Sequence, residues 1–291
     1  MYAGIDIGGT YIKYALIDDD FQIIKKWKKK TEAIEAGAAF YDMLCEDVKN
    51  LALTGIGISV PGVISQEGEV KSKAAKSLWA LYQTNVKQEV EQRLHVCTYA
   101  INDAKAAGYY EASYGSARCD NNSITVILGT GIGGSICVNQ KILNGKDGFA
   151  GEVSSLPFPK GGNMGRWCDY ASVSALCDHY QSLTGKVGNG ELICELYQQQ
   201  DEVCVSLLDE WIEDLCTGLV MLTVICNPDC ICIGGGISEQ GWLIDRIRHQ
   251  YKALCKVYTQ SSLITTKVVV CSAHNDTNLL GAVAYQRVMS Q

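Results

Sequence analysis

The chain has 291 residues, 47% hydrophobic and 20% charged, with a formal net charge of −7. That length suits two ordinary α/β domains, each with its own core, and four prolines leave little room for linkers or disordered tails. The acidic balance disfavours nucleic acid and anionic membranes as partners, and no apolar run is long enough to span a bilayer.

The segment Tyr2 to Ile17, YAGIDIGGTYIKYALI, reads as a β-hairpin with Gly8-Gly9-Thr10 in its turn. Backbone N–H groups of such a turn can point at phosphate oxygens, although an ordinary hairpin turn explains the glycines as well. Asp6 has the wrong charge for phosphate and the right one for Mg²⁺ or a metal-bound water. Lys13 could neutralise a phosphoryl group or simply face outward. Phe21 to Thr31 extends the sheet, and its basic run from Lys25 to Lys30 reads as a solvated edge strand. Phe40, Leu44, Val48 and Leu51 share one face of a helix expected over Ala36 to Leu53. Gly55 to Val63, GIGISVPGV, is a buried strand ending in a Pro61-Gly62 turn. The irregular run that follows is anchored by Trp79 and Tyr82. A short helix spans Val86 to Leu94, and a strand from Val96 to Ile101 delivers Asn102-Asp103 to its carboxyl end, where open α/β sheets bind ligands. Asp103 stands where a helix from Ala104 to Ser113 begins. It either caps that helix or accepts a proton from a substrate hydroxyl.

Ile124 to Val138, ITVILGTGIGGSICV, repeats the strand, glycine turn, strand design of the N-terminus. Two copies suggest a duplicated α/β domain, and two such turns facing each other across a cleft could hold opposite sides of a polyphosphate. A glycine-rich loop runs from Lys141 to Ser155. In it Glu152 is either a surface residue or a carboxylate that accepts hydrogen bonds from neighbouring sugar hydroxyls. Pro157 to Gly165 reads as a further loop, and Arg166 to Ser172 enters a helix. The longest helix is Glu202 to Cys226. The strand Cys230 to Ile233 leads into Gly234-Gly235-Gly236, which is either a plain turn or a bare surface for a flat ligand such as adenine or ribose. Trp242 to Cys255 is a helix, Lys267 to Cys271 a strand and Thr277 to Met289 a closing helix. Cys137, Cys226, Cys230 and Cys232 sit in apolar segments. They read as reduced core residues, and with no signal peptide at Met1 the expected location is the cytoplasm.

The ordered set DIGGT-x-x-K, SVPG, IND, LGTGIGG, GE and IGGGIS resembles the ROK family, which contains sugar kinases and repressors of the actin/hexokinase/Hsp70 ATPase superfamily. The resemblance covers Asp6 to about Ala282. It implies two ribonuclease H-like domains with a central cleft, divided at 1–115 and 116–276, with the closing segment 277–291 packed back on the first. It implies ATP and Mg²⁺ as cofactors. Asp6, which would meet Mg²⁺ through water, Gly8, Gly9, Thr10 and Lys13 match the first phosphate motif. Gly129, Thr130, Gly131, Gly133 and Gly134 match the second, and Gly234, Gly235 and Gly236 match the nucleotide-binding turn. Asp103 matches the catalytic base. Asn102 and Glu152 match sugar-binding residues, and Gly62 and Ser155 fall at positions counted with them.

The departures concern the sugar side. Many family members have a histidine where Ser155 stands, a second sugar-binding glutamate where Cys168 stands, and a zinc-binding CxCGxxGC segment where this chain reads Gly161 to Cys168. A four-coordinate zinc needs four ligands and this segment offers one thiolate, so no structural zinc is expected. The pattern looks closer to zinc-less members, among them kinases of β-glucosides. The expected activity is phosphorylation of a sugar hydroxyl, by analogy the 6-hydroxyl of a hexose, N-acetylhexosamine or β-glucoside, by a homodimer. The rivals are a sugar-responsive regulator, for whose extra N-terminal DNA-binding domain the chain leaves no room, and a sugar sensor without chemistry.

Overall fold

Alternation of glycine with isoleucine sets the architecture of the first half. A computed structural model describes residues 1–259, 263–273 and 276–291. Two compact units divide the chain. Unit 1 holds Met1–Gly115, Lys141–Gly151 and Asp276–Gln291, and unit 2 holds Ser116–Gln140 and Glu152–Asn275.

In unit 1 the strands β1 (Tyr2–Ile7), β2 (Tyr11–Ile17), β3 (Ile23–Lys30), β4 (Gly55–Val60) and β5 (Thr98–Asn102) lie in the order β3-β2-β1-β4-β5. The first three form an antiparallel meander, and β4 and β5 run parallel to β1. Successive strand residues face opposite sides, so GIGIS in β4 gives two different faces. Ile56 and Ile58 join Ile5, Ile7, Phe40, Tyr41 and Leu44 in one core. The other face is nearly bare, with Gly4 directly opposite Gly57. The closing segment Thr277–Met289 is a helix that lies on this bare face. A Cβ on Gly57 would come 2.2 Å from Ala282 O, and one on Gly281 would come 1.9 Å from Ala106 O in α3 (Asp103–Ser113). Glycine is required here for close approach of backbones.

Helix α1 (Gly37–Glu46) is shorter than its apolar spacing predicts. After it the chain continues in turns, with Val48 still buried. Helix α2 (Val86–Leu94) has the expected limits. The irregular run is anchored by Leu78 and Leu81 rather than Trp79, which is about half exposed beneath the Lys73 ammonium. The loop Lys141–Gly151 begins with the two-residue strand β8 (Lys141–Ile142) and belongs to unit 1.

Unit 2 repeats the plan. Strands β6 (Ser123–Leu128) and β7 (Ile132–Val138) form an antiparallel hairpin, and β11 (Cys230–Gly234) and β12 (Lys267–Val270) add parallel strands beside β6. Its core joins Ile124, Val126, Ile231 and Ile233 to Leu208, Trp211 and Leu215 of α7 (Glu202–Cys226) and to Leu243 and Ile247 of α8 (Gly241–Tyr258). Cys230, Cys232 and Cys271 fill the opposite face with Ala117. All fourteen cysteines are free thiols.

The span from Pro157 to Gln198 departs most from the sequence reading. Pro157–Lys160 and Asn163–Arg166 form a small hairpin, β9 and β10, where a loop was expected. Gly161 and Gly162 take φ of 57° and 79°, the two positive values of a tight hairpin turn, while Pro157 and Pro159 obscure the strand signal. After the short helix α4 (Cys168–Ala171), α5 (Val173–Thr184) and α6 (Gly190–Gln198) fill the span before α7. Among the described residues no helix is long and apolar enough to cross a membrane.

The close seating of the closing helix is testable. Gly281→Ala and Gly57→Ala should each destabilise the fold by about 1–3 kcal/mol through overpacking against backbone, read as a lower midpoint in chemical denaturation. An unchanged midpoint would contradict the close approach.

Candidate active site

In unit 1 a buried carboxylate organises the turn of the first hairpin. Asp6 is 6% exposed, and a buried charge needs partners. Register supplies them. Lys13 lies directly across the hairpin, with its Nζ 3.2 Å from Oδ2. Ser59 lies opposite on β4, and its Oγ donates to Oδ1 at 2.6 Å. Asn278 Nδ2 stands 3.5 Å from Oδ1.

The carbonyls of the turn are held by the protein. Thr31 Oγ1 donates to Gly8 O at 2.6 Å, Ser77 Oγ to Gly9 O at 2.7 Å and Thr31 N to Thr10 O at 2.9 Å. In a planar trans peptide the N–H points opposite to the carbonyl, so the Gly9 and Thr10 amides point away from these donors. The Gly8 amide is closed on Tyr11 O at 3.0 Å. Neither Gly8 nor Gly9 has positive φ. What they need is room: a Cβ on Gly8 would lie 2.7 Å from Tyr11 O, and one on Gly9 2.8 Å from Ala75 Cβ.

Asn102 and Asp103 stand where β5 becomes α3. The helix cap is Asn102, not Asp103: Asn102 Oδ1 accepts from Lys105 N at 3.0 Å. Its Nδ2 donates to Gly62 O at 2.9 Å and to Asp103 Oδ1 at 3.0 Å. Asp103 is the first helical residue, where the helix dipole favours a negative charge. Its Oδ1 also accepts from Ala104 N at 2.8 Å, which fixes the plane of the carboxylate. Gly62 has φ +92°, and a Cβ there would meet Ser72 Oγ at 2.7 Å.

In unit 2 a cavity of about 540 Å³ is bounded by Leu128, Gly129 and Thr130, by the start of α5, by Asn189 to Glu191, and by Gly236 and Ile237. The Gly129 carbonyl accepts from Val173 N at 3.0 Å, so the Thr130 amide points away from α5. The glycines divide into two classes. A Cβ on Gly129 or Gly236 would meet no atom within 4 Å beyond its chain neighbours. By contrast, Gly234 packs on Ile127 and Cys271, and Gly235, at φ +94°, would bring a Cβ to 2.0 Å from Leu128 O. Gly133 and Gly134 lie within β7, opposite Ile127 and Val126. Glu152 and Ser155 share one turn, in which Ser155 N donates to Glu152 O at 3.2 Å.

A family model described as ROK family matches residues 2–287. The chain belongs to the ROK family. A β-glucoside kinase from Listeria innocua is 26% identical over 288 residues, 97% of this chain and 95% of the relative. An N-acetylgalactosamine kinase from Shewanella sp. strain ANA-3 is 28% identical over 258 residues, 82% of each chain. A xylose repressor from Bacillus spizizenii is 28% identical over 272 residues, 88% of this chain and 69% of the repressor. The solved structure of a ROK glucokinase from Streptomyces griseus, in complex with glucose and AMPPNP, matches with a TM-score of 0.83 and 25% identity over 99% of each chain. The fold is therefore that of the ROK sugar kinases, with their actin-like ATPase architecture.

The segment from Gly161 to Arg166 is the turn and second strand of the β9–β10 hairpin, which Lys160 helps to hold. The Lys160 ammonium pairs with Asp214 and, at 2.7 Å, with Glu210, and lies over the Tyr170 ring. Burial pushes the Asp214 carboxyl above the usual carboxylate range, against the pull of Lys160. Among the described residues no group of three His, Cys, Asp or Glu side chains is placed to hold a metal ion.

The sequence reading gave α5 only its entry at Ser172 and left out α6, so neither was recognised as a cavity wall. Ser172 caps α5, accepting from Ala175 N at 3.1 Å, and Asn189 caps α6, accepting from Leu192 N at 2.8 Å. The available signal was Asn189-Gly190-Glu191, a cap residue followed by an acidic first turn.

The two classes of glycine predict different costs. Gly129→Ala and Gly236→Ala should change unfolding free energy by no more than about 0.5 kcal/mol, whereas Gly235→Ala should lose about 2 kcal/mol or more. Thermal unfolding of the three variants checks this, and a large loss at Gly129 would assign that glycine to packing.

Proposed function

We propose that this ROK protein is an ATP-dependent sugar kinase. The observation that carries the reading is the setting of Asp103, a half-buried carboxylate at the first position of a helix, its Oδ1 held by the Ala104 N–H and the Asn102 amide. A base so placed can take the proton of a sugar hydroxyl as that oxygen attacks the γ-phosphorus. In a loose transition state the proton leaves late, and an ordinary carboxylate suffices if well positioned. The reacting hydroxyl is proposed as the 6-hydroxyl of a hexose, N-acetylhexosamine or β-glucoside, with Glu152 accepting from neighbouring hydroxyls. Both hydrogens of Asn102 Nδ2 are engaged by Gly62 O and Asp103 Oδ1, so its part is to orient the base.

The cavity beside Gly129 and Gly236 supports the nucleotide half of the reading. Nothing in the protein fills the space over these two residues, and bare backbone there allows a flat adenosine and its phosphates to lie close. The Thr130 and Gly131 amides, with those of Gly9 and Thr10, are the proposed phosphate donors, and Lys13 the neutralising cation. Asp6 fits Mg²⁺ through a metal-bound water: direct coordination would compete with its bonds to Lys13 and Ser59, whereas a water needs only a lone pair. The ion would supply charge neutralisation on the phosphates.

The repressor relative keeps a sugar-responsive regulator as the second reading. ADP release over a panel of glucose, mannose, fructose, N-acetylated hexosamines and cellobiose separates the two. The kinase reading expects sugar-dependent release by the wild type and a loss of about 10²–10⁴-fold in kcat for Asp103→Asn, with sugar binding retained. Near-normal turnover by that variant would remove Asp103 from the base role. No release with any sugar, together with a sugar-sensitive shift of promoter DNA, would favour the regulator.

A further inference from the structure

Helix α3 carries a second charged side chain, one the transfer step does not use. Lys105 is 3% exposed, and a lysine is almost never buried so deeply without partners. Its Nζ donates to Gly148 O at 2.6 Å and to Asn144 Oδ1 at 3.2 Å. Both acceptors lie in the loop Lys141–Gly151, which is part of the same compact unit as α3.

The loop is shaped to receive an ammonium. Ala150 N donates back to Asn144 O at 3.2 Å, closing the bend. Gly145, Gly148 and Gly151 take φ of 67°, 77° and 87°, a region that glycine enters at little cost. A Cβ on Gly148 would press on Ile64 O at 3.2 Å, so the loop also sits close on the body of unit 1. A buried ammonium stripped of acceptors is strongly unfavourable. Loop and lysine are therefore ordered together.

The next residue after this loop is Glu152. Glu152 opens the turn Val153–Ser155, its carbonyl accepting from Ser155 N, and its chain neighbour Gly151 ends the loop that Lys105 holds. Residues two apart on a helix point about 200° apart, so Asp103 and Lys105 leave α3 in different directions and can do separate work. We propose that Lys105 is a positioning residue for sugar recognition: it anchors the loop that sets Glu152, and so governs sugar affinity rather than phosphoryl transfer. The claim about affinity rests on the kinase reading above.

Two variants and two readouts test it. Lys105→Met keeps the apolar stem and removes the charge. Asn144→Ala removes one acceptor from an exposed loop position and leaves the core alone. In Lys105→Met the sugar KM should rise about tenfold or more, with kcat within about threefold of wild type and the ATP KM unchanged. Asn144→Ala should move the sugar KM in the same direction by a smaller factor, and it carries the test if Lys105→Met does not fold. Hydrogen exchange without substrate should quicken at residues 144–151 in both variants. A sugar KM that stays put while loop exchange quickens would overturn the role in recognition, as would kcat and both KM values changing together. Unchanged exchange would overturn the anchoring itself. A wild-type protein inactive on every sugar would instead bring down the kinase reading, and the affinity claim with it.

Discussion

Bare backbone is the constraint on which the account depends. A main chain can cradle a polyphosphate only where side chains are kept off it and its amides point outward. In the first hairpin, donors from Thr31 and Ser77 hold the turn's carbonyls and so aim the Gly9 and Thr10 amides the other way. In the second, Val173 does the same through the Gly129 carbonyl. The space over Gly129 and Gly236 is open and borders the cavity, unlike the crowded surroundings of Gly234 and Gly235.

The Asp6 carboxylate ties this turn to the fold of unit 1. Lys13, Ser59 and Asn278 reach it from β2, from β4 and from the closing helix. That helix can come so close because Gly4 and Gly57 leave the sheet bare beneath it. Gly4 and Gly57 thus serve packing, and their effect on the site is indirect: they allow Asn278 to meet Asp6. The same helix packs on α3, the helix that starts at Asp103.

Much of this was legible in the sequence because strand alternation and glycine turns are local signals. Both hairpins, the strand leading to Asn102 and the helices Val86–Leu94, Glu202–Cys226 and Thr277–Met289 were read from such local patterns. What was not legible depends on tertiary partners. Asn102 and Asp103 are both good cap residues, and only the bonds to Lys105 N and Ala104 N assign the cap to Asn102. Three consecutive glycines look alike in a sequence, yet Gly236 lines the cavity while Gly234 and Gly235 pack on neighbouring strands. A helical lysine reads as a solvated one, and the partners of Lys105 lie in a loop 39 to 43 residues further along the chain. The β9–β10 hairpin was hidden by prolines at Pro157 and Pro159.

The central claim is that the glycine turn of β6 and β7 holds a nucleotide. The most direct measurement is the change in backbone amide resonances of ¹⁵N-labelled protein on titration with Mg²⁺-AMPPNP. The account predicts the largest shifts at Thr130, Gly131 and Gly236, saturating together with one dissociation constant. Saturable shifts confined to other parts of the chain, with these three unmoved, would contradict it.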